Sequence, residues 1–320
     1  MQQSQKPIPQ HVSDFLDWLE IEKGLSSKSQ ENYKRFLNKF ISWIKENKLS
    51  SLLPHELSPD HVRQYRLFLA RSSLKPLKKS TQNYYLIALR ALLNYFADRD
   101  IVSLPSEKIK LARDKEDRQV RFLTLEQLQK LFDAPIVSTF RGLRDRAILE
   151  TFFSTGMRIA ELVALNTEQI NIKPNMQELE LTITGKGGRV RTVYFSTRTL
   201  EWIQKYLKER KDTQEALFVA YKGSHKPEEG KHTEPSRITP RAIQKALKRY
   251  VVMAGIPLFT TPHVMRHTFA TDLLSQGVDL RTIQEFLGHK SITATQIYAH
   301  VTSKKLKEIH EKFHSGKNLK

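Results

Sequence analysis

Across the first hundred residues, apolar side chains recur every three to four positions, and an α-helix is the structure that gathers such residues on one side. Val12, Phe15, Trp18 and Leu19 form the first set, and Gly24 ends it. Ser27 with Gln30 predicts a capping-box start for the next helix, which carries Tyr33, Phe36, Leu37, Phe40, Ile41 and Ile44 on one stripe. A third helix opens at "SPDHVRQYRLFLA", with Ser58 as N-cap and Pro59 at the first helical position. The fourth is "STQNYYLIALRALLNYFADRD". Four such helices predict a compact helical domain over residues 1–105. The loop "RSSLKPLKKS" inside it is basic. Lys75, Lys78 and Lys79 could touch phosphate there, but by themselves they read as a solvated loop.

Residues 104–122 are highly charged and lose the apolar period, so residues 106–120 are expected to link two domains. Thr124 and Gln127 predict another capping box where the second domain begins, at 121. That domain is mixed. "LRDRAILETFFSTGMRIAELVAL" is helical with a break near Gly156. "ELELTITGKGGRVRTVYF" alternates apolar and polar residues on both sides of Gly-Lys-Gly-Gly, the pattern of a β-hairpin. "SHKPEEGKHTEPS" is a polar loop, and "SRITPRAIQKALKRYVVMAG" returns to helix. The expected fold is therefore mainly α with a small β-hairpin.

Charge bounds what such a chain binds. The 320 residues carry 53 Lys and Arg against 34 Asp and Glu, a formal +19. Residues 1–100 hold 16 basic and 10 acidic side chains, and the remainder is more basic still. Basic surface on both domains suits a polyanion, because it displaces the counterions condensed on nucleic acid. Absence of cysteine excludes disulfides, cysteine nucleophiles and Cys-rich zinc sites. No apolar run approaches the ~20 residues of a membrane span, and the first residues lack a signal-peptide core, so a cytoplasmic protein with no membrane partner is expected.

Four segments carry candidate chemistry. In "TPHVMRHTFATDLL", Thr261 can cap a helix that has Pro262 at its first position, placing His263 and Arg266 on one face of the first turns. Free N–H groups and the helix dipole there favour an anion. A metal reading would use His263 and His267. However, Val264 stands where a zincin helix needs Glu, and Arg266 would repel the cation. A core position suits His267. In "STGMRIAELVAL", Arg158 follows a glycine break with Glu161 three residues on, which alone describes a surface ion pair. In "TGKGGRVR", Lys186 occupies a hairpin turn, and an ordinary basic turn explains it equally. In "LGHKSITATQIYAHV", Gly288 ends a helix and His289 follows. Ser291 can cap a short helix presenting Tyr298, which by itself reads as a half-buried aromatic with a wet hydroxyl.

The order of these residues changes their weight. Arg158, Lys186, His263 with Arg266, His289 and Tyr298 resemble the tyrosine recombinase (phage integrase) family, and the surrounding strings "TGMRIAEL", "HVMRHTFAT" and "LGHKSITATQIYAHV" fit it too. The helical first third resembles that family's SAM-like core-binding domain, so the resemblance covers essentially the whole chain. The chain's length and the tail "VTSKKLKEIHEKFH" look most like the Xer-type subgroup.

The resemblance implies a catalytic domain over 121–300. It implies that Tyr298 attacks a DNA phosphodiester to form a 3′-phosphotyrosyl link, and that Arg158 and Arg266 clamp the phosphoryl oxygens. It assigns general-base duty to His263, a further hydrogen bond to His289 and protonation of the leaving 5′-oxygen to Lys186. Glu161, one helical turn from Arg158, is expected to orient it. No metal or nucleotide cofactor is implied. The implied partners are double-stranded DNA recombination sites and other recombinase protomers in a homo- or hetero-tetramer. Residues 301–320 would form a helical tail for protomer contact, with Leu306, Ile309 and Phe313 on its apolar face. A septum-linked DNA translocase or another accessory protein is a further partner. Chromosome or plasmid dimer resolution and integration or excision of a mobile element remain open, as do a type IB topoisomerase, a non-catalytic DNA-binding module and a His-metal hydrolase.

Overall fold

The structure, a computed structural model, describes residues 2–71, 76–112, 121–173, 176–185, 188–221 and 235–288. The chain divides into two compact units, Met1–Asp117 and Arg118–Lys320.

In the first unit, four helices enclose an aromatic core: α1 (Val12–Ile21), α2 (Ser27–Glu46), α3 (Pro59–Arg71) and α4 (Lys79–Asp98). Leu37, Phe40 and Ile44 of the α2 stripe are buried, while Tyr33, Phe36 and Ile41 cover their edge. Trp43, absent from that stripe, is buried too and stacks on Phe40. Tyr65 of α3 meets the Phe40 ring edge-on at 4.9 Å between centroids.

The caps are partly as expected. Ser58 and His61 bond reciprocally: His61 N–H donates to the Ser58 hydroxyl at 3.3 Å, and Ser58 N–H to His61 Nδ1 at 3.2 Å. A histidine thus takes the place glutamate usually holds in a capping box. The Ser27–Gln30 box does not form. Ser26 is the extended residue before the helix, so Ser27 already lies inside it, and Gln30 instead donates to the Leu25 carbonyl at 2.9 Å.

The segment expected to be linker starts inside this unit. Ser106–Lys108 makes a 3-10 turn, Ile109 is buried, and the Asn83 amide pairs with both backbone groups of Ala112 at 2.8 and 3.0 Å. Local charge hid the two apolar residues, Ile109 and Leu111, that carry the chain onto the core.

In the second unit, α5 (Leu125–Asp133) begins with the expected box, Thr124 accepting from Gln127 N–H and the Gln127 side chain accepting from Thr124 N–H. Next come α6 (Phe140–Thr155), α7 (Ile159–Ala164), and the hairpin of β1 (Glu178–Thr184) and β2 (Val190–Ser196). After α8 (Thr197–Lys208), a short pair follows: β3 (Val219–Ala220) with β4 (Ser236–Arg237). The unit's described part ends with α9 (Pro240–Met253), α10 (Pro262–Ser275) and α11 (Leu280–Leu287).

Helix α6 is central and lies against α5, α7, α8, α10 and β2. It buries charge as well as hydrocarbon. Arg146 bonds Glu150 at 2.9 Å, and Asp145 is held by Arg144 and by the Tyr250 hydroxyl at 2.7 Å. Buried ions survive only when so paired.

The antiparallel hairpin register sets Leu179 opposite Phe195, Leu181 opposite Val193 and Ile183 opposite Arg191. Ile183, Val193 and Phe195 are buried, so this row is the inward face. The β3–β4 pair had no sequence signature, because two residues are too few to show alternation. Among the described residues no helix is long and apolar enough to cross a membrane. The tail at 301–320 lies outside the described residues.

Candidate active site

The site begins where α6 stops. Gly156 ends the helix in the left-handed region (φ 58°), and a Cβ there would lie 2.4 Å from the Phe269 ring. Only glycine meets both demands. The turn delivers Arg158 as the N-cap residue of α7, with extended backbone.

Glu161 sits at the third position of α7 and reaches back. Its Oε2 accepts from Arg158 N–H at 2.7 Å and its Oε1 from Arg158 Nη1 at 3.0 Å. The expected contact between the two is therefore present, and it doubles as a helix cap. The Nε and Nη2 groups of Arg158 have no partner among the described residues, and its side chain is 29% exposed.

A third residue completes this group. Arg191, on the inward row of β2, forks onto the same carboxylate, Nη1 to Oε1 at 3.0 Å and Nη2 to Oε2 at 2.7 Å. Its Nε donates to the Phe286 carbonyl at 3.0 Å. Burial alone would raise the Glu161 pKa, but hydrogen bonds and positive charge from Arg191 and Arg158 outweigh it and hold the group at about 2. Glu161 is thus a fixed anion between two arginines. In the sequence, Arg191 is one more cation beside Lys186 in "TGKGGRVR". The available signal was its register: two residues before Val193 it must face inward, and an inward arginine requires an acid.

Helix α10 supplies the next residues. Thr261 caps it, accepting from Val264 N–H at 3.3 Å, and Pro262 follows, as expected. His263 is exposed, while Arg266 is buried. Arg266 Nη1 donates to the Gly156 carbonyl at 2.7 Å and Nη2 to the Leu287 carbonyl. His267 is half-buried, and burial, then the charges of His263 and Arg266, lower its pKa to about 4.

Helix α11 is capped at its start by Asp279, which accepts from Arg281 N–H at 2.8 Å and Thr282 N–H at 3.0 Å. It ends at Gly288, φ 60°. Two of its last carbonyls, Phe286 and Leu287, are taken by Arg191 and Arg266. Cations are favoured there by the helix dipole.

These elements border a groove of about 820 Å³ lined by Arg158, Arg189, Arg191 and Arg281 against a single acid among the described residues, Glu285, with Gly185 and Gly288 also at its wall. Its basic lining, with a half-exposed guanidinium on a braced turn, suits a phosphodiester. The structure brings Arg266 onto the turn that carries Arg158, with His263 one turn back along α10. Lys186, His289 and Tyr298 lie outside the described residues. Gly185, preceding Lys186, bonds across the turn to the Arg189 carbonyl at 2.6 Å.

Comparison with known proteins defines the class. Residues 121–305 match the model described as "Phage integrase family", and residues 12–100 match "Phage integrase, N-terminal SAM-like domain". The chain belongs to the phage integrase family, and this places it among the tyrosine recombinases, enzymes that cut and rejoin DNA strands. Among curated relatives, tyrosine recombinase XerD of Lacticaseibacillus casei is 31% identical, the match covering 95% of this chain and 98% of that one. Tyrosine recombinase XerC of Pelotomaculum thermopropionicum is 33% identical over 95% and 97%. The fold is shared with the Tn1549 transposon integrase in complex with transposon right end DNA (TM-score 0.70, 18% identity, 97% of this chain and 100% of that one). It is shared also with XerH site-specific recombinase bound to palindromic difH substrate (TM-score 0.69, 22% identity, 93% and 83%).

Proposed function

We propose that this tyrosine recombinase is an Xer-like enzyme that exchanges strands at specific double-stranded DNA sites, resolving chromosome or plasmid dimers as a tetramer of like or related protomers. The observation that carries the chemical reading is the bond from Arg266 to the Gly156 carbonyl, which sets a second guanidinium against the turn bearing Arg158. Similarity to XerC and XerD proteins over nearly the full chain supports the biological role.

In this reading the Tyr298 hydroxyl attacks the scissile phosphorus. The P–O5′ bond breaks as the P–O(Tyr) bond forms, leaving a 3′-phosphotyrosyl link and a free 5′-hydroxyl. An isolated tyrosine has a pKa of ~10, so His263 serves as the base that takes its proton. Lys186 gives a proton to the leaving 5′-oxygen. Arg158 and Arg266 stabilise charge on the non-bridging oxygens, and His289 adds a hydrogen bond. A 5′-hydroxyl from a partner strand then attacks the phosphotyrosine and reseals the DNA. The 301–320 tail would contact a neighbouring protomer, and an accessory translocase could license the exchange.

Tyr298→Phe tests the assignment. The variant should bind site DNA like the parent yet give no covalent band on a nicked suicide substrate in a denaturing gel. A band of parental intensity would remove Tyr298 from the role of nucleophile.

A further inference from the structure

We propose that Arg191 is a positioning residue of strand cleavage, acting through Glu161 on Arg158 and bracing the backbone just before Lys186 and His289. The proposal rests on the reading of Arg158 as a phosphate clamp.

Arg191 spends its guanidinium entirely inside the protein. Its two terminal nitrogens fork onto Glu161, and its Nε holds the Phe286 carbonyl. Its charge is matched by the Glu161 carboxylate and its side chain is 8% exposed, so it offers little charge to DNA directly. Glu161 is in turn the one described group that bonds the Arg158 side chain. Without Arg191 the carboxylate would lose two of its bonds and could swing onto the free face of Arg158, withdrawing the guanidinium from the groove.

Two glycines show how closely the chain is built around this side chain. A Cβ on Gly185 would lie 3.1 Å from Arg191 Nη1 and 3.1 Å from Glu161 Oε1. A Cβ on Gly288 would lie 2.9 Å from Arg191 Cδ. Gly185 immediately precedes Lys186, and Gly288 immediately precedes His289. One buried arginine therefore bonds the partner of one assigned catalytic residue and fills the space beside the glycines that precede two others. Positioning errors of ~1 Å can cost ~100-fold in rate, so its loss should be felt in chemistry rather than in DNA binding.

The test compares the parent, Arg191→Met, Arg191→Lys and Arg158→Ala on two suicide duplexes. One carries the natural scissile phosphate. The other carries a methylphosphonate there, a neutral group whose transition state develops less charge and needs less from a guanidinium. Arg191→Met should bind DNA within about 2-fold of the parent and form the covalent adduct ~100-fold more slowly on phosphate. Its deficit should shrink on methylphosphonate, as that of Arg158→Ala should. Arg191→Lys, which keeps charge but not the fork, should fall between.

An Arg191→Met rate within about 3-fold of the parent, or an equal deficit on both substrates, would overturn the proposal while leaving the recombinase reading intact. No adduct from the parent would overturn both. If Arg191→Met does not fold, Arg191→Lys and Glu161→Gln decide by the same two-substrate comparison.

Discussion

Arg266 of α10 donates through Nη1 to the carbonyl of Gly156, 2.7 Å away, at the point where α6 gives way to the turn carrying Arg158. Two residues 110 apart in sequence are thereby locked to one backbone position. The same glycine takes the Phe269 ring where a side chain would be, so α10 meets the turn twice.

Gly156→Ala should therefore be costly. The left-handed backbone contributes ~1–2 kcal/mol against any Cβ, and the collision with Phe269 adds ~1–3 kcal/mol. Gly255→Ala is the matched control: it also has positive φ (62°) but nothing within 4 Å of the new atom. Urea unfolding should show the first variant less stable than the second by at least ~1 kcal/mol. Equal losses would show that the Phe269 contact yields freely.

Lys186→Ala should slow cleavage by ~100- to 10,000-fold while leaving DNA affinity nearly unchanged, as expected for loss of a general acid. Replacing the leaving 5′-oxygen by sulfur makes protonation unnecessary, so that substrate should restore the variant. It should not restore Arg158→Ala, whose deficit lies in phosphate charge. Rescue of both variants, or of neither, would leave Lys186 as a DNA contact only.

The Glu161 carboxylate contributes to acid stability. Its folded pKa, about 2, lies below the ordinary 4.5. Its contribution is therefore complete above pH 4.5 and is lost as pH falls through 2. The difference corresponds to about 3 kcal/mol. Urea midpoints of Glu161→Gln should lie below the parent's at pH 7 and converge with them across that window. A constant gap down to pH 2 would contradict the assignment.

His267 acts in a higher window. Its folded pKa of about 4 is below the ordinary 6.5, so the unfolded chain binds the proton first. Stability is complete above pH 6.5 and declines toward pH 4, by roughly 3 kcal/mol in all. His267→Leu should flatten the stability profile between those values. An unchanged slope would mean that the ring titrates alike in the folded and unfolded chain.

Local rules read from the sequence carried far in this molecule. Pro262 behind Thr261, Gln127 behind Thr124 and the glycine at 156 are near-neighbour features, and each depends on bonds within one turn of chain. The alternating residues around Gly-Lys-Gly-Gly likewise determined a hairpin, and the order of Arg158, Lys186, His263 with Arg266, His289 and Tyr298 pointed to the family to which the chain belongs. Where such rules misjudged, a neighbour one or two residues away competed: Ser26 took the cap from Ser27, and Ile109 drew a charged segment onto the core.

Tertiary structure alone decided which cation is spent on the protein and which is left to face the groove. Arg158, Arg189 and Arg191 look alike in sequence. Only packing β2 against α7 and α11 brings Arg191 to Glu161 and Phe286, 30 and 95 residues distant, and buries it, while Arg158 keeps an open face. An arginine's charge is the same in either setting. Its role depends on whether low-dielectric surroundings and a fixed carboxylate consume its donors or solvent leaves them for a phosphate; the strand period sets Arg191 on the inward row, but which carboxylate and carbonyl meet it there is decided by long-range contacts.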